Sequence, residues 1–294
     1  MKTIESRYSK FIKICLKVVR VLPRYSNKYS KKTYTQHQLG VIALFMKYLR
    51  RHYRDVIELL MEMPYICYLI GLEQMPHFTT IQKFVKRNSY VLFYSLLNNS
   101  VHLFKIKRSN LGIDASGFSK TNASYYYTLK INGEIPYKIY LKHSISVDLS
   151  KQAILSSISR NSPYHDNRDF KPLILKSNKL VVISIGTADK AFDSENNHKL
   201  LRKIGSDVQI PIKKGVKRGY YRNKMNFDEN VYHQRSKVET VFSVIKRLFG
   251  YTLNSRKFLM QKKEVLLMDV TYNIHRYVKY SLFYIEDFYK AMIS

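Results

Sequence analysis

The apolar residues of this chain change their spacing near residue 107, and that change limits the folds open to it. Before it, they recur at three and four. Across Gln38 to Leu60, the residues Leu39, Ile42, Ala43, Met46, Leu49 and Tyr53 keep one face apolar, which is the period of an amphipathic helix. Gly and Pro are sparse, so residues 1–106 read as an all-helical domain. Pro64 opens one helical segment, and Gly71 with Pro76 marks a turn region. The run His77 to Arg87 then turns Ile81, Phe84 and Val85 inward and Gln82, Lys83, Lys86 and Arg87 outward, with Thr79 or Thr80 as the cap. A short basic helix after a tight turn suits a helix-turn-helix element. It makes Lys83, Lys86 and Arg87 candidate DNA contacts, although a merely solvated face has the same pattern.

From Ser109 the pattern is that of strands. Leu111-Gly112-Ile113-Asp114 is a short apolar run ending in an acid. Tyr125 to Ile131 is rich in aromatic and β-branched residues, Asn132-Gly133 supplies a hairpin turn, and Ile135 to Val147 forms the second arm. A helix is expected over Asp169 to Leu175 and a buried strand over Leu180 to Ile185, leading to Asp189. A helix from about Glu195 and a fifth strand over Val208 to Ile212 follow, then a basic loop from Lys213 to Asn223. Two helices, roughly 229–249 and 260–282, complete the pattern. Three antiparallel strands, helix, strand, helix, strand, helix is the ribonuclease H-like order. Residues 107–294 are therefore expected to be an α/β domain with a five-stranded mixed sheet flanked by helices.

Lys and Arg number 51 against 21 acids, a formal charge of +30. Such a chain repels itself unless a polyanion neutralises it, and nucleic acid is the obvious one. Wholly apolar runs such as Val41 to Met46 fall far short of the ~20 residues a bilayer-spanning helix needs, so no membrane partner is expected. Basic residues interrupt the first apolar stretch, which argues against a signal peptide. Only Cys15 and Cys67 occur, too few for a cysteine zinc cluster or a disulfide framework. A cytoplasmic, nucleoid-associated location is expected.

Three acids stand out by position: Asp114 at the end of the first strand, Asp189 after the fourth, and Glu239 within the penultimate helix. Strands one and four are neighbours in this fold, so their carboxylates meet at one sheet edge, where a flanking helix can present the third. Three such groups repel unless divalent cations neutralise them, and hard oxygen ligands select Mg²⁺ or Mn²⁺. Asp193, four residues beyond Asp189, is the competing choice for the second acid. On a helix of about 100° per residue, Tyr232, Arg235, Glu239 and Lys246 fall within roughly 60° of arc. Val238, Val241, Val244, Ile245, Leu248 and Phe249 take the core side. Arg235 and Lys246 suit phosphates.

The spacing Y-x2-R-x3-E-x6-K in Tyr232, Arg235, Glu239 and Lys246 resembles the signature of DDE transposases of the four/five superfamily of insertion sequences. Asp189-Lys190-Ala191-Phe192 is similar to that family's second-acid box and Asp114-Ala115-Ser116 to its first, with Ala191 in place of glycine and Ala115 in place of a hydroxyl residue. The resemblance implies cleavage of transposon ends and joining of the 3′-hydroxyl to target DNA by two-metal phosphoryl transfer. In that reading Asp114, Asp189 and Glu239 bind two Mg²⁺ or Mn²⁺ ions. Tyr232, Arg235 and Lys246 contact end DNA, the helical domain binds terminal inverted repeats, and a homodimer holds two ends. The alternatives are a non-catalytic, repressor-like DNA-binding relative and a ribonuclease H-like nuclease that cuts without joining.

Overall fold

The computed structural model describes residues 5–120, 130, 140–162, 165–216 and 219–293. The chain divides into two compact units, Met1–Phe104 with Leu266–Ser294, and Lys105–Val265. The sequence reading drew a single boundary at 106. The structure instead returns the later part of the last helix to the first unit.

The first unit is helical: α1 (Arg7–Val18), α2 (Gln36–Tyr48), α3 (Tyr53–Met61), α4 (Pro64–Ile70), α5 (Phe78–Arg87) and α6 (Tyr90–His102). Ser6 caps α1 by accepting from the Ser9 N–H at 3.1 Å. Thr35 and Gln38 close a reciprocal capping box on α2, satisfying donors that a helix start leaves open. Gly71 ends α4 at φ 73°, a left-handed conformation that costs a residue without Cβ little. In α5, Ile81, Phe84 and Val85 are buried while Gln82, Lys83, Lys86 and Arg87 face solvent. The cap differs from expectation. The helix starts one residue after His77, and the Thr79 hydroxyl is held by the His77 Nδ1 at 2.8 Å rather than by the backbone. No described helix is long and apolar enough to cross a membrane.

The second unit carries β1 (Arg108–Ser119), β2 (Tyr140–Asp148), β3 (Ala153–Asn161), α7 (Asn167–Asn178), β4 (Val182–Ala188), α8 (Glu195–Lys203), β5 (Asp207–Gln209), α9 (Tyr220–Asn223), α10 (Glu229–His233) and α11 (Ser236–Phe249). The last helix, α12 (Phe258–Ile293), begins here. The sheet order is β3-β2-β1-β4-β5. β1, β2 and β3 pair antiparallel, and β1, β4 and β5 run parallel. This is the ribonuclease H-like sheet with its flanking helices.

Two strand assignments need correction. The second and third strands are Tyr140–Asp148 and Ala153–Asn161, and the expected strand Tyr125 to Ile131 with its turn at Asn132-Gly133 lies outside the described residues. β3 escaped notice because its apolar start, Ala153 to Leu155, gives way to serines. Ser156, Ser157 and Ser159 are buried, and the Ser146 hydroxyl lies 2.7 Å from those of both Ser156 and Ser177 of α7. The hydroxyls of Ser146, Ser156 and Ser159 are stable inside because each finds a partner.

The expected helix 229–249 is two helices. At the junction the N–H groups of Arg235, Lys237 and Val238 each bond three residues back, to Tyr232, Gln234 and Arg235 carbonyls. These tight turns rotate Tyr232 away from the position a continuous α-helix would give it. α11 then lies close over β1 at Gly112, where a Cβ would fall 2.5 Å from Val238 Cγ2 and 2.7 Å from Leu149 Cδ2. Gly112→Ala should therefore cost about 1–3 kcal/mol of stability through overpacking. Calorimetry should show a lower unfolding midpoint for the second unit, and an unchanged midpoint would mean that the helix shifts without strain.

Candidate active site

Ile113 of β1 pairs in parallel with Ala188 of β4. The next residue on each strand is an aspartate, Asp114 on one and Asp189 on the other, so the parallel register alone brings the two acids side by side. β1 does not stop at Asp114 as the sequence suggested. It continues to Ser119 because Ala115 to Ser119 stay paired with β2. Asp114 is thus held mid-strand by its pairing with Ile145 of β2, one residue past the last β1–β4 pair. Asp189 stands just past β4 and accepts from the Lys190 N–H.

Glu239 approaches from α11, and Arg235 joins it to the sheet. The guanidinium Nη2 lies 2.8 Å from Glu239 Oε1, and Nη1 lies 3.6 Å from Asp114 Oδ2. Burial raises the Asp114 carboxyl above its ordinary range. The Ala115 N–H and Arg235 counter this in part, while the Glu239 and Asp189 charges push the same way as burial. For Arg235, burial works against the charge, but Asp114, Tyr232 and Glu239 outweigh it and hold the guanidinium above its usual value. Asp114 therefore senses both other carboxylates, and the Arg235 guanidinium stands between it and Glu239.

Tyr232 and Lys246 border this group. The guanidinium carbon of Arg235 is 5.8 Å from the Tyr232 ring centroid. Lys246 donates to Ser116 Oγ at 2.7 Å, two residues along β1 from Asp114, and its ammonium lies 5.6 Å from the Phe118 ring centroid. Burial lowers its pKa. The structure thus brings Asp114, Asp189, Tyr232, Arg235, Glu239 and Lys246 into one neighbourhood of the second unit. Lys83, Lys86 and Arg87 belong to the first unit, on the exposed face of α5.

Asp193 plays a different part. It is buried, and its oxygens accept from Arg222 Nε at 2.9 Å and Nη2 at 3.2 Å and from the Lys213 N–H at 3.0 Å, with His198 Nε2 at 3.2 Å. Beside it, Glu195 accepts from the Tyr221 N–H at 2.6 Å and the Arg222 N–H at 3.3 Å. Together they tie the basic segment before α10 to the loop that carries Asp189. Neither tie was legible in the sequence, since Arg222 lies 29 residues from Asp193 and no local spacing announces the pair.

Residues 108–274 match the family model described as "Transposase DDE domain". The chain belongs to this transposase DDE-domain family. No curated protein matches it. Among solved structures it is similar to a piggyBac transposase synaptic complex with hairpin DNA, determined by cryo-electron microscopy, at 13% identity and a TM-score of 0.47. That likeness covers 95% of this chain and 73% of the other.

A transposase-family site should suit a divalent cation, and the donors here can be tested for that. Among the described residues no three His, Cys, Asp or Glu groups stand close enough to form a ready cluster. The donor chemistry nevertheless fits. All three groups are carboxylates, the hard oxygen ligands of Mg²⁺ and Mn²⁺, and burial, with a smaller push from the Glu239 and Asp189 charges, raises the Asp114 carboxyl.

The buried pair beside the site gives a separate expectation. Burial raises the Asp193 carboxyl, but the Lys213 N–H, Arg222 and His198 more than reverse this and leave its pKa below the ordinary value. A depressed carboxylate pKa adds stability above the unfolded-state pKa of about 3.9, which is lost as pH falls through the folded value. Asp193→Asn leaves a buried guanidinium without its counter-charge and should cost roughly 3 kcal/mol at neutral pH. Urea unfolding should show that cost at pH 7 and a shrinking difference from the parent as pH falls through the depressed pKa of Asp193, where the parent's own carboxyl becomes protonated. A pH-independent difference would remove the charge from the explanation.

Proposed function

We propose that the chain is a DNA transposase that cleaves transposon ends and joins the freed 3′-hydroxyl to target DNA. The observation that carries this reading is the parallel register that sets Asp114 beside Asp189, with Glu239 tied to Asp114 through Arg235. Its family supplies the class of reaction. When bound, two Mg²⁺ or Mn²⁺ ions would activate the attacking oxygen and stabilise the leaving one.

The protein's own groups do the rest. Asp114, Asp189 and Glu239 hold the ions. Arg235 serves as the counter-charge before they arrive, and its fork then turns toward a phosphate of the DNA end. Lys246, anchored on Ser116, neutralises a neighbouring phosphate, and Tyr232 contacts the end close to the cut. The exposed basic face of α5 with Lys83, Lys86 and Arg87 reads the terminal inverted repeats, and a homodimer keeps two ends together. The formal charge of +30 supports DNA as the partner and fits a location at the nucleoid.

Asp114→Ala, Asp189→Ala and Glu239→Ala should each reduce metal-dependent cleavage to background while DNA binding persists. The substrate is a duplex carrying the inverted repeats that flank the gene. Near-normal cleavage by one variant would take that residue out of the ion site. Loss of strand-transfer products with cleavage intact in the parent chain would make it a nuclease, and the absence of both reactions would make it a DNA-binding relative.

Lys246→Ala should weaken end binding and lower the slope of log affinity on log salt by about one unit, leaving ion affinity unchanged. Arg235→Ala should damage binding and cleavage together, and Arg235→Lys should rescue little, because an ammonium lacks the planar fork. Binding isotherms across a salt series, beside metal titrations, check both. If neither substitution moves DNA affinity, the two residues serve only the helix.

A further inference from the structure

Phe227 is a large apolar side chain left 41% exposed in the short link between α9 and α10. A solitary exposed apolar residue is ordinary. Its backbone, however, is held on both sides by one buried residue. Gln209, the last residue of β5, is 2% exposed. Its Nε2 donates to the Asn226 carbonyl at 2.9 Å, and its Oε1 accepts from the Asp228 N–H at 2.9 Å. One amide thus pairs with the chain before and after Phe227, much as a neighbouring strand would. Asp228 then caps α10, accepting from the Asn230 N–H at 2.9 Å and the Val231 N–H at 3.3 Å. The link is fixed at both ends while the phenyl ring between them stays accessible.

The ring also has a definite neighbour. Its centroid is 5.4 Å from that of Tyr232, tilted by 47°, within the range of favourable aromatic pairs. Tyr232 in turn stands beside Arg235, whose guanidinium spans Asp114 and Glu239. Two rings and one guanidinium therefore lead from the accessible Phe227 to the carboxylates. Base faces stack on exposed aromatic rings whatever their sequence, provided the base is not already paired.

We propose that Phe227, presented by Gln209 and backed by Tyr232, is a stacking platform for an unpaired base at a DNA end, which holds the strand next to the cut. This rests on the reading of the chain as a DNA-end-cutting enzyme and adds to it an occupant for the surface beside the carboxylates. The platform selects ends whose last bases are open over intact duplex.

The chain contains no tryptophan, so Phe227→Trp introduces a single fluorescent reporter at the platform. The probes are a short blunt duplex and the same duplex with a single-stranded thymidine tip. The tipped duplex should quench the Trp emission and the blunt duplex should not. Phe227→Ala should lose about 5- to 100-fold more affinity for the tipped than for the blunt duplex, the range expected for one stacked base, and Phe227→Trp should retain the preference. Equal losses on the two probes, or quenching by both alike, would overturn the platform. A parent chain that binds and cuts DNA in a metal-dependent way while the Phe227 variants match it would sink this proposal alone. A parent chain that binds neither probe would sink it together with the functional reading.

Discussion

Carboxylates placed on neighbouring parallel strands repel one another, and the second unit is organised around managing that repulsion. At ~4 Å, two like charges cost about 4 kcal/mol at an effective dielectric constant of 20. Arg235 offsets part of that cost at Asp114 from the start of the helix laid over β1. Its fork reaches a strand residue and a residue one turn along its own helix, so one cation links the sheet to the layer above it. That link needs close approach, and Gly112 permits it by leaving room for Val238. The tight turns between α10 and α11 bring the guanidinium to the strand and leave Tyr232 beside it. Charge, backbone and packing are thus one arrangement seen at three scales.

Local features of the site were legible because their signals are local. Arg235 and Glu239 stand one turn apart, and Asp189 follows the apolar run that forms β4. The sheet order followed from the order of the elements. What escaped reading is non-local or chemically atypical. β3 is built on serines whose hydroxyls meet α7, so an apolar alternation has nothing to report. The extension of β1 past Asp114 depends on its β2 partner rather than on its own residues. Asp193, a rival for the second acid on spacing alone, is bonded on both oxygens to groups 20 and 29 residues away. Only the three-dimensional arrangement separates it from Asp189.

A division of labour among acids follows. Asp193 and Glu195 are occupied with backbone N–H groups and Arg222, and they hold the basic segment to the loop after β4. Among the described residues, Asp114 and Glu239 share the Arg235 side chain, and Asp114 accepts one backbone N–H. The first pair has few lone pairs left for a ligand, and the second has several. Beyond β4, Asp193 and Glu195 are thus saturated by donors, whereas the acids of β1 and α11 keep lone pairs unused within the described residues.

The far end of β1 carries one more tie. Ser119 donates its N–H to the Tyr251 carbonyl at 2.8 Å and accepts from the Leu253 N–H at 2.9 Å, just past the end of α11. With Arg235 on Asp114 and Lys246 on Ser116, the strand and the helix are bound together at the start, the middle and the end. They consequently behave as a single lever that local opening must release as a whole. Asp114 and Glu239 ride on that lever at a fixed spacing. Asp189 is not on it: it stands on the opposite side, at the start of the turn that follows β4.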